Sequence, residues 1–181
     1  MILGGGSLRP SENDYDWLGY GVYFWENNEQ RALQFAEEAA RRKTSSIKEP
    51  FVIGAVIDLG HCLDLTDMSC LAEVKQSYDA LRKAFIKAGM VLPINKNIGK
   101  NGDMLLRQLD CAVIEYEHTI NETAKMKSFD SVRRIFVEGV ELFPGGGIRE
   151  KNHIQICVRN PNCIKGYFLP RIKDERYSNP E

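Results

Sequence analysis

Leu18-Gly19-Tyr20-Gly21-Val22-Tyr23-Phe24-Trp25-Glu26 is the stretch on which the reading of this chain turns. Two glycines one residue apart let the backbone turn sharply and let a flat ligand approach it without Cβ interference. Three aromatics follow in a β-prone run, and strand alternation sends Tyr23 and Trp25 to one face and Phe24 to the other. Asn27 and Asn28 come next, and either suits a helix cap. Residues 29–43 then read as that helix, with Ala32, Phe35, Ala36, Ala39 and Ala40 on one side. An aromatic face beside exposed backbone makes a floor for a planar ring. On pattern alone the same aromatics serve equally well as plain core.

Upstream, residues 1–17 read as a short helical or irregular start, with turn chemistry at Pro10-Ser11-Glu12-Asn13-Asp14. Downstream, residues 51–59 form an almost continuous apolar run, expected as a central strand that Gly60 ends. Residues 67–88 read as a helix in which Leu71, Val74, Tyr78, Leu81 and Phe85 share a face, with Gly89 as its stop. A loop over 91–102 leads to Asp103, expected to cap a second helix carrying Leu106, Leu109, Val113 and Tyr116 on one face. These two helices form an insertion over about 67–120.

Residues 131–140 and 152–159 read as strands, separated by a loop over 141–152 with Pro144 and three glycines. After a tight turn at Asn160-Pro161-Asn162, residues 163–169 are expected to pair with the strand before them. Late strands with earlier helices predict a single α+β domain over 1–170 with a mainly antiparallel sheet, and a polar tail over 171–181.

The 181 residues suffice for one self-stabilising core, and 43% hydrophobic with 27% charged residues argues against disorder. A net charge of -1 gives no global field to hold a polyanion. Cys62, Cys70, Cys111, Cys157 and Cys163 are odd in number and lack CxxC spacing. They read as thiols in a reducing cytosol, not as a disulfide framework or metal site. No apolar run reaches membrane-spanning length, and Met1-Ile2-Leu3 lacks the basic start of a signal peptide. The expectation is a soluble, cytoplasmic protein without a metal.

The Gly-x-Gly-x-Tyr-Phe string of residues 19–24, followed by a helix opening around Arg31-Ala32, resembles the second motif of the poly(ADP-ribose) polymerase-like (diphtheria-toxin-type) ADP-ribosyltransferases. The resemblance implies a split antiparallel sheet with a helical insertion, and NAD as substrate. It makes Tyr23 the tyrosine that stacks on nicotinamide, with Gly21 and Phe24 beside it. Phe35 is the candidate for a second aromatic, although a gap-free match puts Gln34 there. Trp25 stands where the family has a small residue, and Arg31 where it often has a serine. Residues 2–10 are similar to the family's preceding segment. That similarity places Arg9 near the pyrophosphate or ribose and makes Ser11 a further polar candidate.

Residues 153–169 resemble the family's closing hairpin. The match places Gln155 on the position of the catalytic glutamate, with His153 on the same face two residues earlier. Glutamine keeps hydrogen-bonding capacity without negative charge, which implies transfer of one ADP-ribose and no polymer growth. His153 titrates near neutrality and could act as a base or phosphate contact. Glu138 would offer a carboxylate if it reached the cleft. Phe143, Arg149 and Lys151, on the loop before Gln155, stand where the family selects its target.

The resemblance thus implies a mono-ADP-ribosyltransferase acting on a macromolecule, protein or nucleic acid, as a bacterial toxin or defence effector with an inhibitory partner protein. Its alternatives are a degenerate module that binds NAD, ADP-ribose or a protein, and an NAD glycohydrolase. The family's first motif, a strand with His-Gly, would lie just before Ile2, whereas His61, His118 and His153 all come later. That strand is expected upstream, or this form is shortened or degenerate, with an unpaired sheet edge.

Overall fold

The structure is a computed structural model and describes residues 8–97, 103–171 and 176. It is a mixed α+β arrangement. Among the described residues, strands β1 (Val22–Trp25), β2 (Gly54–Ile57), β3 (Cys62–Asp64), β4 (Asn95–Lys96), β5 (Leu106–Arg107), β6 (Ser131–Phe136), β7 (His153–Val158) and β8 (Ile164–Phe168) alternate with helices α1 (Glu29–Ala40), α2 (Met68–Lys87) and α3 (Gln108–Thr123). The main sheet has the order β1-β7-β6-β3, and β2-β8 and β4-β5 form separate pairs. β3 runs parallel to β6, and the other pairings are antiparallel.

β1 falls where alternation placed it. α1 begins at the expected cap, because the Asn28 side chain accepts from the Arg31 N–H at 3.0 Å. α2 is capped by Asp67, whose carboxylate accepts from the Ser69 and Cys70 N–H groups. Of its expected inward face, Val74 packs on the core and Leu81 is buried, whereas Leu71 is exposed, and Cys70 and Ser77 turn inward as well.

Three expectations are corrected. The 51–59 run holds only the short β2, which pairs with β8 alone and leaves Val56 57% exposed. It is not central, since an apolar run alone does not say which strands flank it. Residues 163–169 do not pair with β7. Both edges of β7 are taken by β1 and β6, and a 3-10 turn at Pro161–Cys163 sends β8 across to β2. Asp103 does not cap α3. Its carboxylate accepts from the Gly139 N–H at 3.2 Å, and α3 starts after β5.

The core lies on one face of the main sheet, where Leu18, Leu63, Ile114, Phe129, Val132, Phe136 and Cys157 are buried together and Tyr23 packs against them. On the other face Ile156, Val158 and Cys163 pack with Phe24, Ile57 and Leu59. β1 is an outer strand of the main sheet, and β2-β8 meets this second face through Ile57 and Ile164. The five cysteines are free thiols, three of them buried. Among the described residues no helix is long and apolar enough to cross a membrane, and no group of His, Cys, Asp or Glu is arranged to hold a metal.

Candidate functional site

The approach to the site is built at Gly19 and Gly21. Gly19 has φ +76°, and a Cβ there would lie 2.4 Å from Glu115 Oε1. A Cβ at Gly21 would lie 2.6 Å from both Cys157 Sγ and the Val158 carbonyl oxygen. Only glycine lets this turn lie so close to β7 and α3. Glu115 holds the turn from α3: its carboxylate accepts from the Tyr20 N–H at 2.7 Å and from Arg159 at 2.5 Å. Ser11 and Gly21 exchange backbone hydrogen bonds at 2.8 and 3.0 Å, which brings the incoming segment against the start of β1.

A cleft of about 1040 Å³ opens beside β1. Its walls are the 8–11 segment, β1, the first turns of α1, the 51–59 segment, and the end of β8. Arg9, Ser11, Gly21, Tyr23, Phe24 and Phe35 all line it. So do Trp25, from the expected aromatic face, and Glu26, Glu29 and Arg171, for which no motif gives a signal. Glu26 is tied by a two-pronged ion pair to Arg133, at 2.6 and 3.1 Å. The volume is at the upper end of the range for clefts that bury small ligands, of order 300–1000 Å³.

Tyr23 borders the cleft, but its phenol is already used. The hydroxyl donates to the Gly19 carbonyl at 2.7 Å and accepts from the Leu18 N–H at 2.8 Å. Burial, with Cys157 beside it, pushes its pKa well above the ordinary value, so the phenol stays neutral. Tyr23 anchors the glycine turn, and Phe24, on the opposite face, turns toward the cleft and the 51–59 segment.

Gln155 and His153 do not line the cleft. In the β1-β7 ladder Tyr23 is opposite Cys157 and Trp25 is opposite Gln155. Directly opposed residues share a face. Tyr23 and Gln155 therefore share a face, with Gln155 buried behind Trp25. On β6, Arg134 is opposite Gln155 and Phe136 is opposite His153. Trp25 lines the cleft on one side, packs at a tilt of 43° against Phe35 with ring centroids 4.9 Å apart, and lies 6.4 Å from the His153 ring.

Behind Trp25 sits a buried polar cluster. Glu138 Oε2 is 3.7 Å from Arg31 Nη2 and 3.7 Å from His153 Nδ1. The Lys151 carbonyl lies 2.7 Å from His153 Nδ1, which assigns the proton to Nδ1 and leaves a lone pair on Nε2. Burial lowers the His153 pKa and raises that of Glu138. Arg107 packs over Trp17 and Phe136 and shares Asp110 with Arg134. Trp25 Nε1, Arg31 Nε and Nη1, Arg107 Nε, Glu138 Oε2 and His153 Nε2 are buried without a partner. Such atoms are rare, and each costs about 1–3 kcal/mol when left so. Arg31 and Glu138 lie more than a hundred residues apart in the sequence. Their meeting involves α1, the end of β6 and β7, and no local motif signals it.

Of Phe143, Arg149 and Lys151, the two cations are tied within the chain and Phe143 is exposed. Arg149 donates to the Gly139 carbonyl at 2.9 Å, and Lys151 pairs with Glu38 at 2.9 Å. Phe143 and Arg149 line a small pocket of their own, apart from the main cleft.

The chain is similar to a protein of unassigned role. The chain is 28% identical to "Uncharacterized protein MJ0359" of Methanocaldococcus jannaschii over 180 residues, taking in 91% of this chain and 78% of that protein. No protein-family model matches the chain. No solved structure matches it.

Proposed function

We propose that this chain binds NAD in the cleft beside β1 and transfers a single ADP-ribose to a macromolecular acceptor, protein or nucleic acid. One observation carries the reading. Arg9, Ser11, Gly21, Tyr23, Phe24 and Phe35, each marked by the resemblance as a cofactor contact, line one cleft at the seam between two sheets.

Phe24 and Phe35 offer aromatic surface for the nicotinamide or adenine ring. Among the described residues Arg9 and Arg171 are the cations of the cleft lining, and they suit a pyrophosphate. Loss of nicotinamide leaves positive charge on the ribose, which an acceptor nucleophile then attacks. Gln155 would hydrogen-bond the ribose only once the Trp25 side chain turned aside, since it lies behind that ring. A cytoplasmic toxin or defence role, with an inhibitory partner, belongs to the same proposal and rests on the resemblance.

A second reading is binding of NAD or ADP-ribose without turnover. The burial of Gln155 and His153 outside the cleft lining favours it. Nicotinamide release from NAD separates the two. Release by the natural sequence that is lost in Phe24→Ala and sharply reduced in Gln155→Ala supports transfer or hydrolysis. Saturable NAD binding with no release supports the binding module, and neither binding nor release ends both.

A further inference from the structure

The polar cluster behind Trp25 has more donors than its own acceptors satisfy. Arg31 Nε and Nη1 and Trp25 Nε1 are buried N–H groups with no acceptor, although Trp25 itself is only half-buried. The Arg31 side chain is 10% exposed and faces Glu138 only at 3.7 Å, too long for a hydrogen bond. Arg107 adds positive charge, and it shares its carboxylate, Asp110, with Arg134. Two acceptors are also unpartnered: Glu138 Oε2, 4% exposed, and Nε2 of His153, whose side chain is fully buried. Nearly all such buried groups in folded proteins find a partner.

A ligand that completes this set must carry several acceptor oxygens for a guanidinium and an indole N–H. It must also carry a hydrogen that His153 or Glu138 can accept. A carboxylate meets the first condition but not the second. A phosphate group bearing one P–OH meets both, and a guanidinium fork suits its geometry.

We propose that the cluster formed by Trp25, Arg31, Glu138 and His153 is a binding site for a phosphate group, reached from the cleft past the Trp25–Phe35 pair. Arg31 and Trp25 donate to phosphate oxygens, and the P–OH donates to His153 Nε2 or Glu138. Burial, which raises the Glu138 pKa, weakens the carboxylate's competition for Arg31. The site stands on unpartnered atoms and not on the NAD reading, so each holds or fails separately.

The test is calorimetric titration of the full chain with inorganic phosphate at constant ionic strength, with acetate as the comparison. Phosphate is expected to bind saturably and more tightly than acetate. Arg31→Gln weakens it about tenfold or more, the loss expected for charge-assisted hydrogen bonds. Trp25→Phe, which keeps a ring and removes only the N–H, weakens it about fivefold, as for one neutral hydrogen bond. If Arg31→Gln does not fold, the Arg31 Nε–H resonance of the natural sequence provides the second readout and must move with phosphate. No saturable binding, acetate binding as tightly as phosphate, unchanged affinity in folded Arg31→Gln, or a stationary Arg31 resonance overturns the proposal. Buried water satisfying these atoms would give the first of those results.

Discussion

Trp25 and Gln155 are directly opposed across the β1-β7 ladder, and of the two only Trp25 reaches the cleft. A tryptophan at this place divides the interior behind β1 into two compartments. One is the open cleft, which Phe24, Phe35, Phe51 and Phe168 also line. The other is a closed cluster of charged groups with unpaired atoms. The small residue usual at this position in the resembling family would leave no such wall.

Tyr23 and Phe24 are neighbours with opposite expected behaviour. Tyr23→Phe removes a hydroxyl with two backbone partners and leaves the Leu18 N–H unpaired, so unfolding free energy falls by about 1–3 kcal/mol while the ring remains. NAD affinity should change less than threefold, since the hydroxyl faces the glycine turn. Phe24→Ala removes aromatic surface from the cleft, and NAD affinity should fall about tenfold or more. Urea unfolding and NAD titration of both variants check the contrast. Equal loss of affinity in the two variants would refute it.

Gly21→Ala is expected to lower stability by about 2–3 kcal/mol, because its methyl group would crowd Cys157 Sγ and the Val158 carbonyl. Gly146→Ala, on the loop after β6, is a poor control because the Phe143 ring lies beside it; Gly147→Ala, with nothing within 4 Å, is a suitable one. Denaturant midpoints for Gly21→Ala and Gly147→Ala should differ clearly, and coincident midpoints would count against the tight turn.

Glu115 acts on the cleft only through the turn that it holds. Glu115→Ala leaves the Tyr20 N–H without its acceptor and Arg159 with only the Tyr20 carbonyl, and should cost about 2–3 kcal/mol. Because the turn positions β1, nicotinamide release should fall through a raised KM. Glu115→Gln keeps one acceptor and should recover part of both losses. A kcat effect with unchanged KM would contradict a positioning role.

His118 gives a pH dependence unrelated to the site. Burial, with Arg159 adding to it, lowers its pKa from 6.5 to about 3. Below 6.5 the unfolded chain binds a proton that the native state refuses until about 3. The contribution of His118 is therefore complete above 6.5 and is lost as pH falls from 6.5 toward 3. Both ring nitrogens are buried without a partner, and Phe129 packs edge-on at 6.0 Å. A His118→Leu variant should show a flatter stability profile across that window in thermal unfolding at stepped pH. Parallel profiles would refute the assignment.

What could be read from sequence was local. β1 and α1 were legible because alternation, an asparagine cap and a run of alanines all sit within twenty residues. Only part of the cleft lining, Gly21, Tyr23, Phe24 and Phe35, falls in that one segment, and the wall from 51–59 and the end of β8 gave no local signal. β3 gave no signal: three residues are too few for a period, and its partner β6 lies far along the chain. The partner of β8 was misread because the tight turn suggested a hairpin, whereas the neighbouring strands had already filled both edges of β7. The start of α3 was misplaced because Asp103 suits a cap chemically but is spent on Gly139. The cluster of Arg31, Glu138 and His153 joins distant segments, and its meaning lies in unpaired atoms that only three-dimensional placement exposes.

The central claim is that NAD occupies the cleft beside β1. Titrating NAD into isotope-labelled protein and mapping the shifted resonances tests it most directly. The account predicts saturable shifts concentrated at Arg9, Ser11, Phe24, Phe35 and Gly54, with the groove around His61, Ser77 and Glu117 unmoved. No shifts at millimolar NAD, or shifts confined to that second groove, would contradict it.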